Sequence, residues 1–220
     1  MKTSLLLCLF TMMIVAPALA QVVPVPTSLS PGDEYRLVFV TSSKTQATSD
    51  VIADYNSFVT GVANAEAELA ALGASWFVIG STRAVDARDN TGTLPTGAGG
   101  TLGVPIFRVD DTKFVDSNDD LWDGDVDVPL SVEQDGTSAG AEAVWTGTIT
   151  DGTNIGGQSL GGAATSVGDP PASNGDWIDT SAGAPTTQNR RLYAMSGILT
   201  VPQPVPVEPA TWGQIKADRR

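Results

Sequence analysis

Histidine is absent from the 220 residues. That removes the side chain most often used as a general base and as a transition-metal ligand near neutral pH. Cysteine occurs once, at Cys8, so the chain cannot close a disulfide on itself and must rest on its core. Basic residues are few, 12 against 25 acidic ones, for a net charge of −13. Such a balance speaks against nucleic acid, heparin-like polyanions and anionic membranes as partners. It suits cation binding, or simply solubility. With neither histidine nor a cysteine beyond residue 8 to serve as base or nucleophile, the expectation is a protein that is not an enzyme.

Long apolar runs are also scarce. The one present, residues 5–15, follows Lys2 and leads into Ala18, Leu19 and Ala20. A positive start, a short apolar run and an Ala-x-Ala ending form the pattern of a secretory signal peptide over residues 1–20, cut before Gln21. The run is short for a bilayer span, so the mature chain is expected to have no stable membrane span and to be secreted or displayed at the cell surface. Residues 21–33 read as a lead-in and residues 34–201 as one domain, long enough for a substantial core. Residues 202–220 begin with a proline-rich spacer, VPQPVPVEP, which favours an extended chain. The tail after it, with Val207, Glu208, Pro209, Ala210 and Thr211 and the basic end Arg219 and Arg220, resembles the sorting tags of bacterial surface proteins. The hydrophobic span of such tags is missing between these two parts.

Within the body, residues 34–41 (EYRLVFVT) read as a strand entered through the turn Ser30-Pro31-Gly32-Asp33. Apolar residues then recur at spacings of three and four through Ile52, Tyr55, Val59, Val62, Ala65, Leu69 and Leu72. This predicts a long amphipathic helix capped by Ser49 or Asp50, stopped by Gly73 and open to a break at Gly61. Residues 75–80 predict a second, buried strand. Residues 104–109 and 113–115 predict a hairpin, and residues 190–201 a closing strand. The stretch between is rich in glycine, serine and aspartate. The plan is α+β, an antiparallel sheet with a long N-terminal helix and a loop-rich second half. The expected core is Phe39, Ile52, Tyr55, Val62, Leu69, Trp76, Ile79, Ile106, Trp122, Trp145, Tyr193 and Leu199.

Several clusters carry candidate chemistry. Asp116, Asn118, Asp120 and Asp127 stand at positions 1, 3, 5 and 12 of a calcium-loop spacing, although Leu121 takes the place of the usual glycine. An irregular calcium site would draw on Asp116, Asn118, Asp119, Asp120, Asp123 and Asp125; the alternative is a solvated acidic loop. Arg83, Asp86, Arg88 and Asp89 either contact a ligand or form arginine–aspartate pairs that pin loops to the sheet. Trp76, Trp122, Trp145 and Trp177 either form a sugar-stacking face or are buried as core anchors; the first three read as anchors, which leaves Trp177 as the sugar-stacking candidate. The run Gly157-Gln158-Ser159-Leu160-Gly161 matches the nucleophile-elbow pattern, but with no histidine it reads as a flexible glycine loop.

The order Val104-Pro105-Ile106, Phe114, Leu121-Trp122-Asp123-Gly124, Val144-Trp145-Thr146-Gly147-Thr148, Asp151-Gly152, Trp177 and Leu192-Tyr193-Ala194-Met195 resembles the endostatin-like branch of the C-type-lectin-like fold. Bacterial surface domains of unknown function share this order. The resemblance implies a C-type-lectin-like domain over residues 34–201. That family's cysteines, its zinc-binding histidine and its heparin-binding arginine surface have no counterpart here. Neither has the Trp-Asn-Asp step of the sugar-binding lectins, and Glu208-Pro209 is followed by Ala210. Together the readings lead to a surface binding module for an extracellular glycan or protein, assisted by calcium if the acidic loop binds it. A structural surface or matrix protein is the alternative.

Overall fold

The computed structural model describes residues 21–204; the expected signal peptide and most of the tail lie outside the described residues. The organising strand is β1, Glu34–Val40, in which every residue after Glu34 is buried. Its apolar run reflects burial on both faces, because it lies in the middle of a sheet covered on each side. On one flank β3, Ile106–Arg108, runs parallel to it, with Leu37 opposite Phe107. On the other, β8, Arg191–Ser196, runs antiparallel, with Phe39 opposite Ala194.

The remaining strands are β2, Trp76–Val78; β4, Lys113–Val115; β5, Val144–Trp145; β6, Thr165–Gly168; β7, Gly183–Ala184; and β9, Leu199–Thr200. They make one nine-stranded sheet in the order β4-β3-β1-β8-β5-β6-β7, with β2 also on β8 and β9 also on β1. The sheet is mixed, which corrects the antiparallel expectation: β1 pairs with β3 and β5 with β8 in parallel. A parallel pair needs a long crossover. Residues 41–105 and 146–190 supply the two crossovers.

The long helix is corrected as well. It forms as α1, Ile52–Ala65, followed by a separate turn α2, Ala67–Ala70. The break falls at Glu66, whose backbone is extended (φ −95°, ψ 121°), not at Gly61. Leu69 after the break is fully buried in the same core as Tyr55, Val59 and Val62 of α1. Neither Ser49 nor Asp50 is the cap, since α1 starts after Val51 without a side-chain cap. Ser49 Oγ instead accepts from the Val51 amide (3.1 Å) and donates to Asp54 (2.6 Å). A mixed sheet with short helices is therefore what forms in place of the C-type-lectin-like plan.

Alternation along β1 divides the interior. Leu37 and Phe39 face a core that contains Tyr55, Val59, Trp76 and Trp145. Val38 and Val40 face a second core of Ile79, Phe114, Trp122, Trp177, Tyr193 and Met195, roofed by the loop-rich half. Ten of the twelve expected core residues are buried; Ile52 and Leu199 are half-buried at the margin.

Two polar devices hold the frame. The outer edge of β2 is closed by an asparagine pair: the Val78 amide donates to Asn56 Oδ1 (2.9 Å), and Asn90 Nδ2 donates to the Val78 carbonyl (2.9 Å). Closing an edge in this way removes a template for strand addition. Arg36, buried in β1, donates to the carbonyls of Ser196 (2.9 Å) and Gly92 (3.3 Å), and burial lowers its pKa.

Candidate functional site

The aspartate-rich stretch folds as a corner. Strand β4 ends at Val115, and the short helix α4, Asn118–Leu121, follows at once, capped by Ser117, whose Oγ accepts from the Asp120 amide (3.2 Å). Asp120 Oδ2 reaches back to the Asp116 amide (2.6 Å). Six residues after α4 the chain returns, and the Asp127 amide donates to the Phe114 carbonyl (3.2 Å). Asp116, Asp120 and Asp127 thus converge, each with a carboxylate oxygen within 4.8 Å of the others. Oxygens on opposite sides of a calcium ion, at 2.3–2.6 Å from it, lie up to about 5 Å apart, so the spacing fits a hard divalent cation. Lys113 already contributes a positive charge here through its ion pair with Asp116. That hydrogen bond raises the Lys113 pKa.

The other four residues of the expected calcium set do not join the corner. Asn118 is buried and donates from Nδ2 to the Thr101 carbonyl (3.0 Å). Asp119 accepts from the Thr96 amide (2.6 Å) and the Thr96 hydroxyl (2.5 Å). Trp122, one residue past α4, donates from Nε1 to Thr93 O (3.1 Å) and Oγ1 (3.0 Å). One face of the α4 turn is therefore a clasp on the glycine-rich loop 92–103. Asp123 accepts from the Asp125 amide (3.1 Å) in a local turn, and both are exposed. Asp127, left out of the irregular set, takes their place at the corner. Its position 12 in the calcium-loop spacing was the signal for it, whereas the role of Lys113 had none.

The clasp is sensitive to acid. The hydroxyl and then the amide of Thr96 hold the Asp119 carboxyl below its ordinary range. A lowered carboxyl pKa contributes stability that is present above the ordinary value and lost as pH falls through the folded value. The Thr96 amide resonance should therefore titrate with a midpoint below the ordinary aspartate value. Asp119→Asn should abolish that titration; a Thr96 resonance insensitive to pH in the unsubstituted chain would count against the clasp.

Of the expected ligand-binding residues, Asp86 accepts from Asn154 at both its amide (2.8 Å) and Nδ2 (2.8 Å). Arg88 Nη1 donates to the Asp151 carbonyl (3.3 Å), while Arg83 and Asp89 are exposed. Asp86 and Arg88 pin the loop at residues 151–154, but through backbone and asparagine groups; among the described residues none of the four forms an ion pair with another. Trp177 is fully buried against Phe114, Trp122 and Tyr193. It cannot stack on a sugar, which corrects that expectation.

Ser159 in the Gly-x-Ser-x-Gly run is buried and donates to the Gly156 carbonyl (2.7 Å). At its end Gly161 lies so close to the segment before α1 that an added Cβ would meet Asp50 Cα at 2.6 Å. Gly161 permits tight backbone packing where a flexible loop was expected, while an added Cβ at Gly157 would meet nothing within 4 Å.

Compared with known proteins, the chain matches no family model and no curated protein to a significant degree. No helix among the described residues is long and apolar enough to cross a membrane.

Proposed function

We propose that this chain is an exported, non-catalytic surface module that binds an extracellular glycan or protein, with calcium held at the Asp116, Asp120 and Asp127 corner. The observation that carries the reading is the convergence of three carboxylates from a strand end, a helix and a returning loop. Calcium takes six to eight oxygen ligands. Three carboxylates leave coordination positions open to water or to the oxygens of a glycan or an acidic side chain, and that is how the ion would assist binding. Lys113 competes for the same charge, so the affinity should be in the range of extracellular modules, a dissociation constant of about 10⁻⁴–10⁻³ M.

Isothermal titration of the mature chain with calcium tests this. The expected result is one site, lost in Asp127→Asn and at least several-fold tighter in Lys113→Gln, where the competing cation is gone. Asp127 is exposed and its backbone alone holds the loop, so its carboxamide variant should fold. Absence of binding at millimolar calcium in both the unsubstituted chain and Lys113→Gln would end the calcium reading.

A further inference from the structure

A second site lies where the strap before α1 crosses the end of the sheet. A cleft of about 320 Å³ opens there, between the strap at residues 44–49, the first turns of α1 and Asn189. That volume is at the small end for ligand sites and takes about one or two pyranose rings.

The strap is held in place. Thr45 and Arg190 exchange amide–carbonyl bonds (2.9 and 3.0 Å), the Ala47 amide donates to Thr186 O (2.9 Å), and the Gly161 amide donates to Ala47 O (2.9 Å). Trp145 adds a bond from Nε1 to Thr45 O (3.1 Å) beneath the Arg190 guanidinium. A wall fixed in this way needs little ordering when a ligand arrives.

The lining has the chemistry of a neutral polyol site. Phe58, half-buried on α1, presents aromatic surface to the cleft beside the buried Tyr55. Both hydrogen-bonding roles of the Tyr55 hydroxyl are taken by the Ser49 backbone (3.1 and 2.8 Å), and its ring is buried in the core, so it serves as the floor that holds the strap and leaves Phe58 as the aromatic surface. Around the rings stand groups that have no protein partner among the described residues: the Thr48 hydroxyl, the Asn189 amide and Gln46 Oε1, whose Nε2 is bound to Thr187 O (3.0 Å). They supply donors and acceptors side by side, as vicinal hydroxyls require. The two charges are already engaged, Lys44 with Glu142 (2.7 Å) and one Asp54 oxygen with Ser49 Oγ (2.6 Å). The Asp54 carboxylate keeps its negative charge, which disfavours an anionic ligand and leaves its second oxygen to accept from a sugar hydroxyl.

We propose that this cleft is a subsite for a neutral saccharide unit, with Phe58 beneath the ring and Thr48, Gln46 and Asn189 on its hydroxyls. This rests on reading the chain as a surface binding module. It is independent of the calcium corner, with which the cleft shares no residue.

The test is an amide-resolved NMR titration of the mature chain with glucose, galactose, mannose, N-acetylglucosamine and cellobiose, in calcium and again in chelator. Saturable shifts are expected for at least one sugar, confined to residues 44–49, 54–58 and 189 and unchanged by chelator. The double variant Thr48→Ala/Asn189→Ala, at two exposed positions, should bind that sugar at least tenfold more weakly. Its fold is checked by dispersion of the core amides. No shift with any of the five, an unchanged affinity in the variant, or binding lost in chelator would overturn the cleft assignment. If the cleft fails while calcium titration succeeds, the surface-module reading stands without it.

Discussion

Replacing Trp177 by alanine is expected to destabilise the domain by roughly 3–5 kcal/mol, the range for truncating a buried large aromatic. The ring is wholly excluded from solvent. It contacts Phe114 edge-on at 5.5 Å, Tyr193 at 5.7 Å and Trp122 at 6.2 Å between centroids. Its carbonyl accepts the Tyr193 hydroxyl (2.9 Å), which burial keeps protonated far above the usual tyrosine range. Removing the indole empties the centre of the core that carries the loop-rich half. Trp177→Phe keeps the aromatic contact with Phe114 and should cost less. Urea unfolding followed by near-ultraviolet circular dichroism measures both. A loss below about 1 kcal/mol for alanine, within the ordinary scatter of surface substitutions, would return Trp177 to the surface role that its sequence context suggested.

The second large effect is expected at a glycine. Gly147→Ala should cost about 1–2 kcal/mol for a side chain at positive φ and about 1–3 kcal/mol more for overpacking. Gly147 has φ +59°, and its Cβ would stand 2.6 Å from the Leu160 nitrogen and 2.7 Å from the Ser81 carbonyl oxygen. Those atoms belong to the join where the Ser81 amide meets Thr146 O (2.8 Å) and the Leu160 amide meets Ser81 O (2.9 Å). Neither can retreat without breaking the bridge between the end of β2 and β5. Gly156 is the control. It has the same φ of +59° with nothing within 4 Å of an added Cβ, so Gly156→Ala should show the conformational cost alone. Equal losses at the two sites, measured by thermal unfolding, would show that crowding at Gly147 contributes nothing.

Much of the frame was legible locally. The pattern at residues 34–41 marks β1, the short apolar run at residues 75–80 marks β2, and Trp76 and Trp145 read correctly as core anchors. The helix was legible in its first fourteen residues, because the three-and-four spacing through Val62 describes a real buried face. It failed at Glu66, where no glycine or proline announces the break. The extended backbone there has no residue-type signal, and Leu69 beyond it joins the same core as α1.

The site was less legible. Spacing singled out Asp116 and Asp120, which converge with Asp127, but Asn118 and Asp119, flanked by the same kind of residue, turn to the other side and hold loop 92–103. Which way a carboxylate points on a four-residue helix depends on the partner beyond it. The cleft residues Gln46, Thr48 and Asn189 are remote in sequence and unremarkable singly, so only the fold could bring them together.

The sequence by itself determined the charge of the molecule, the absence of histidine and disulfide chemistry, the central apolar strand and most of the core membership. These follow from composition and from periodicity over a few residues. Tertiary structure alone decided the mixed direction of the strands, the break at Glu66, the burial of Trp177 and the closure of Asp116, Asp120 and Asp127 into one corner. Each of these depends on contacts between segments far apart in the chain, and a linear pattern holds no record of which distant backbone or ring a given side chain will meet.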